Sequence, residues 1–163
     1  MSQISTVVGM VADLLSGAGG LQTKINDTAS AEALPAVSIS AQQIIKQNLP
    51  PDLVERTAGI KYPCVHVYCE KALNLMREKS RVFSGQAVMA IDSRVSSDRL
   101  ENLDAQINVL VDAVTSTLDQ NRGAWGAGVF YGGAYEIGFG AVKHGGKNFI
   151  QTAKITFSLE ISI

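Results

Sequence analysis

At 163 residues, the chain is long enough to bury about two-thirds of the surface its unfolded form exposes, so a core needs no disulfide or metal staples. A formal charge of −1, with 46% apolar and 18% charged residues, excludes a general attraction to nucleic-acid phosphates or anionic lipid and leaves much surface free for protein contacts. The N-terminus lacks the basic and apolar regions of a secretory signal. No stretch reaches the roughly 18 consecutive apolar residues of a membrane-spanning helix, so a cytosolic folding site is expected.

Ile4, Val7, Val8, Val11, Leu14 and Leu15 recur at spacings of three and four, which lays one apolar stripe along a helix over 4–15. Gly17, Gly19 and Gly20 stop it. A weaker helix is predicted over 21–34, closed by Pro35. Val37 and Ile39 then alternate before a Gln-rich connector that ends at Pro50-Pro51, the pattern of a short strand. Over 61–69, Val65, Val67 and Cys69 fall on one strand face and Cys64, His66 and Tyr68 on the other, with Pro63 marking an edge. Lys71, Arg77, Lys79 and Arg81 surround a turn, and strand character resumes from Phe83 to Val95, so these segments form a long hairpin.

Ser96, Ser97 and Asp98 offer capping oxygens, and Glu101 is spaced to complete a capping box. Behind them Leu100, Leu103, Ile107, Leu110, Val111, Val114 and Leu118 form the stripe of a long helix that Asn121 and Gly123 end. After Gly123, glycine and aromatic residues dominate, giving strand, loop and strand. In the last segment Ala153, Ile155, Phe157, Leu159, Ile161 and Ile163 alternate with Lys154, Thr156, Ser158, Glu160 and Ser162, so one face packs inward and the other meets water or a partner. The order predicts one α+β domain over 1–163, with a helical part over 1–35 and a sheet with the long helix over 61–163. Its sheet is mostly antiparallel, with helices on one face.

Chemistry is sparse. Cys64 and Cys69 lie five apart in one strand, on opposite faces, and are expected as reduced core residues. Cys64 and His66 share a face and could form a nucleophile and base, yet no third group orients them; burial of a small side chain is the stronger expectation. Gly123, Gly126 and Gly128 follow a helix and lack the Lys-Ser/Thr pair of a phosphate loop. No catalytic residue, cofactor or metal is assigned, and no enzyme is expected. Arg77, Lys79 and Arg81 read either as a solvated hairpin tip or as a loop facing DNA or an acidic partner. Trp125, Phe130, Tyr131 and Tyr135 read either as core aromatics or as anchors of a subunit or partner interface.

The C-terminal hundred residues carry YPCVHVYCEK, RVFSGQAVMAIDSRVS, a helix, and RGAWGAGVFYGGAYEIGFGAVKHGGKNFIQTAKITFSLEIS. In this order, and in the W-G-x-G-V-F-Y-G-G and K-H-G-G-K-N-F runs, the chain resembles the tail terminator (tail completion) proteins of tailed bacteriophages. The resemblance implies a small α/β subunit of a hexameric ring in the virion, assembled in the host cytoplasm. Such a ring halts tube polymerisation at the head-proximal end of the tail and presents a surface to the neck. Its partners would be copies of itself, the tail tube protein, a neck or head-completion protein and possibly the sheath protein, with DNA only in passage and no membrane. Arg77, Lys79 and Arg81 would then line the lumen or meet the tube. Another neck connector, such as a head completion or stopper protein, is the neighbouring alternative; a small ligand-binding domain or enzyme is a more distant one.

Overall fold

The computed structural model describes residues 3–32, 37–50, 53 and 61–163. Two helices open the chain, α1 (Gln3–Ser16) and α2 (Leu21–Glu32). A short 3₁₀ turn (Ala41–Gln43) leads into β1 (Ile44–Ile45). The hairpin β2 (Cys64–Asn74) and β3 (Ser84–Ser97) follows, then α3 (Leu100–Gln120). The chain ends with β4 (Gly123–Gly126), β5 (Val129–Phe139), β6 (Lys143–Gly145) and β7 (Asn148–Ser162). The strands form one sheet in the order β1-β2-β3-β7-β5-β4, with β6 paired to the start of β7. Every pairing is antiparallel except β1 with β2. This is the α+β fold with a mostly antiparallel sheet that the pattern predicts.

The apolar stripes decide the layering. α1 buries Val7, Val11, Ala12 and Leu15 against the β1–β2 side of the sheet, while α3 lies over β3 and β7 and supports α2. From the sheet, Val65, Val67, Met89, Ile91, Ile155 and Leu159 meet these helices, each 0% exposed. Period-2 alternation in β7 against period-3.6 stripes in the helices brings two apolar surfaces face to face, each of which would otherwise stand in water. Gly20 lets α1 turn into α2, because a Cβ there would strike the Leu15 carbonyl. Gly128, at φ +75°, passes equally close to the Ser162 carbonyl.

Several local expectations are corrected. Val37 and Ile39 are buried but lie outside any strand; the strand is Ile44–Ile45, whose pairing with Val65 and His66 covers the start of β2, so Pro63 does not precede an edge there. β2 continues past Cys69 to Asn74 through a register shift, which puts Lys71 in the strand. Arg99 stands at the start of α3 and no side chain caps it; the Ser97 hydroxyl instead accepts from the Arg99 amide at 3.1 Å. Leu100, assigned to the stripe, is 53% exposed. The predicted end of α2 at 33–35 and Pro51 lie outside the described residues.

Taken together, Gln3–Ala31 are long and apolar enough to cross a membrane by length and composition, which a search for consecutive apolar residues does not detect. The turn at 17–20 divides them, and the 14 residues of α1 would span about 21 Å at about 1.5 Å each, short of a bilayer core of about 30 Å. Their apolar face is instead spent on the sheet and α3.

Because Ile155 sits in β7 under the helices and is 0% exposed, Ile155→Ala should lower unfolding free energy by about 2–5 kcal/mol, read from the denaturant midpoint at unchanged m-value.

Candidate functional site

Three surfaces hold the residues singled out in the sequence. The first is aromatic. Tyr131 and Phe157 are 0% and 2% exposed, and Trp125 is half-buried beside them. Their rings stack at centroid separations of 5.3 Å (Tyr131–Phe157), 5.7 Å (Trp125–Tyr131) and 6.5 Å (Trp125–Phe157), within the range in which tilted and edge-to-face rings attract. The Trp125 indole donates to the Asn121 carbonyl at 2.6 Å, which ties the β4 turn to the end of α3. The Tyr131 hydroxyl is buried without a hydrogen-bond partner among the described residues, and burial, then Asp119, pushes its pKa up to about 12. Tyr135 is half-buried and its hydroxyl donates to Asp119 at 3.4 Å. Phe130 alternates to the opposite face and is 46% exposed. The four aromatics therefore divide between a packed cluster and an exposed ring on the helix-free face.

The second surface is the β2–β3 hairpin tip. The Asn74 side chain organises it, accepting from the Met76 and Ser84 amides and donating to the Val82 carbonyl. Arg77 faces Glu160 at 4.0 Å, Arg81 faces Glu78 at 3.4 Å, and Lys79 is exposed between them. These solvent-exposed pairs contribute at most about 1 kcal/mol each. The sequence reading missed the apolar content of the tip: Leu73, Leu75, Met76 and Val82 are 37–78% exposed. Only Leu73 and Leu75 keep a two-residue spacing, too short a run to mark an apolar surface.

The third lies on the helix-free face, where the chain leaving β1 crosses the sheet. Register pairs Cys64 with Arg94 and His66 with Asp92 across β2 and β3. His66 Nδ1 lies 3.0 Å from the Gln47 carbonyl, which can only accept, so Nδ1 carries the proton and Nε2 faces the Cys64 thiol at 3.7 Å. Burial pushes the Cys64 pKa up to about 12, opposed by Arg94 and aided by Asp92. The His66 pKa is lowered, by burial and then by Arg94. Both shifts oppose a thiolate–imidazolium pair, and both side chains are 0% exposed, so this arrangement packs instead of activating a nucleophile. Arg94, which sequence reasoning did not single out, is the anchor: 2% exposed, it binds the Asp92 carboxylate at 2.7 and 3.1 Å and the Leu49 carbonyl at 2.5 Å, while its Nη1 has no partner among the described residues. Among the described residues no three His, Cys, Asp or Glu side chains converge as metal ligands.

No protein-family model and no curated protein matches this chain.

Because the folded His66 pKa lies below its ordinary 6.5, the unfolded chain takes up the proton first as pH falls. The stability this site contributes is therefore complete above pH 6.5 and is lost as pH drops below it, and His66→Gln should flatten that part of the stability–pH curve. Asp92→Ala, which strands the buried Arg94 charge, should cost about 3–5 kcal/mol in denaturant unfolding, and adding Arg94→Met should recover most of it.

Proposed function

We propose that this chain is a structural subunit that closes with copies of itself into a ring, about six to a turn, at the head-proximal end of a phage tail. There it ends tube polymerisation and joins tail to neck. The resemblance to tail terminators supplies the class, and its quoted runs fall on β2, β3, β4, β5, β6 and β7. The observation that carries the assembly reading is the asymmetry of the surface: the sheet ends at β1 and β2 on one side and at β4 and β5 on the other. Unlike sides join head to tail, and such contacts close into a ring when the rotation per subunit divides a full turn.

Capping then follows from surface complementarity. One rim of the ring copies the contacts of a tube subunit, and the other receives a neck or head-completion protein. The hairpin tip, with Arg77, Lys79 and Arg81 beside exposed Leu75, Met76 and Val82, suits contact with the tube, the sheath or the lumen through which DNA passes. The chain works inside the virion, after assembly in the host cytoplasm.

Mass in solution across a concentration series, with negative-stain imaging in the presence and absence of tail tubes, tests the reading. Rings of about six subunits, or density confined to one tube end, are expected. A monomer at every concentration that ignores tubes defeats it, and a particle that binds heads but not tubes assigns the chain to the neck connectors.

A further inference from the structure

The two sides of the sheet are unequally covered. β4 pairs with β5 only across Val129–Tyr131, so Gly132–Phe139 has no strand on its outer side among the described residues. Among the described residues β1 pairs with β2 only at Val65 and His66, so Val67–Asn74 has no strand beside it, although Lys46–Asn48 border the same groove as Val67–Cys69. Unpaired edges present rows of backbone donors and acceptors, and proteins that must stay monomeric guard them with lysine, proline or bulges. The β5 stretch, GGAYEIGF, contains no lysine, arginine or proline, and its one guard is the register shift between Tyr131 and Tyr135; the β2 edge carries Lys71 and the register shift after Cys69.

The polarity of the two edges is compatible. From β2 through β3 and β7 to β5 the chain reverses three times by antiparallel pairing, so β2 and β5 run in opposite directions. A second copy set beside the first in the same orientation brings β5 against β2 as an antiparallel pair, the more stable ladder.

The side chains also match. On the helix side of β5, Tyr135 and Ile137 are half-buried and Phe139 is 54% exposed, because α3 lies over β3 and β7. Beside the edge of β2, a groove of about 690 Å³ borders α1; Ile4, Val8, Met10 and Val67 line its apolar part, and Asp13 and Lys46 are among its polar lining. Its apolar part is a place for the β5 side chains of a neighbour, and its polar part leaves room for their backbone and Glu136. Glu136 is exposed on β5, and at the β2 side Lys71 and Lys46 are exposed, with Glu70 already paired to Lys154 and Asp13 farther along α1. β1 and β4 sit at opposite ends of the strand axis, so the neighbour must be staggered along the strands. A stagger repeated in one sense at each joint is the shear that closing a sheet requires.

We infer that copies of this chain join by antiparallel pairing of Gly132–Phe139 of one with Val67–Asn74 of the next, which continues the sheet from subunit to subunit. The inference rests on the ring reading and specifies its interface. Two single variants, Lys71→Cys and Glu136→Cys, each also carrying Cys69→Ser, test it. Both changed positions are exposed strand residues, and circular dichroism matching the parent shows that each variant folds. The variants are mixed at a concentration where the parent forms rings and are treated with a short thiol-specific cross-linker. A product at twice the subunit mass, containing one of each variant and absent from either alone, is expected. Rings in the parent without that mixed product overturn the edge pairing and leave the ring reading standing. Absence of rings at every concentration, together with absence of the product, overturns both.

Discussion

The C-terminal strand is the constraint on which the rest of the molecule depends. β7 pairs with β3 along its whole length, with β5 on its other side, and with β6 at its start. It also supplies Ala153, Ile155, Phe157, Leu159 and Ile161 to the core under the helices. The β2–β3 hairpin and the β4–β5 hairpin belong to one sheet only because β7 lies between them. Closing those long-range pairings costs loop entropy before it returns packing energy. The hairpins can form locally, but the sheet is incomplete until the last residues of the chain are in place.

The two faces of the sheet use different physics. The helix side is largely apolar, and its stability comes from area removed from water. The opposite face, beside β1, buries Arg94, His66 and Cys64, with Asp92 partly buried, beneath the segment that follows β1. A buried charge pair is weak evidence for stability, because desolvation offsets much of the Coulomb attraction. It does provide specific bonding: the Gln47 and Leu49 carbonyls have defined partners in His66 and Arg94, so the connector is directed across the sheet at one place. This segment also borders the groove under α1, through Lys46, Gln47 and Asn48. The polar cluster thereby shapes the surface that the proposed interface uses.

Few charges, exposed apolar residues at a hairpin tip and sheet edges left unpaired among the described residues are the features on which the proposed assembly rests. In a solitary domain such features are usually guarded, and here the guards are Lys71 and the register shifts of β2 and β5. Complete burial and a thiol held neutral oppose nucleophilic chemistry at Cys64 and His66 themselves.

Periodicity made much of this legible in advance. The stripes of α1 and α3 and the alternation of β7 specify element type and buried face by themselves, since a helix or strand must bury its one apolar side. Reduced, separated Cys64 and Cys69 followed from the same alternation. The capping box at Ser96–Glu101 and the strand at Val37–Ile39 did not form, because local signals of this kind are weak against tertiary pairing: β3 extends through Ser97, and Ile44–Ile45 finds β2 instead. The aromatic set could not be divided by inspection, since neither residue type nor spacing tells which strand face a glycine-rich turn presents. Arg94 was illegible because burial of an arginine depends on a carboxylate two residues away and a carbonyl from a distant connector meeting at one point. The sequence by itself determined the elements, their apolar faces and the α+β class, which are properties of local period. Strand order, the open edges and the groove under α1 were decided only by tertiary structure, because they depend on which strands become neighbours, and that is set by the long-range pairing of β7.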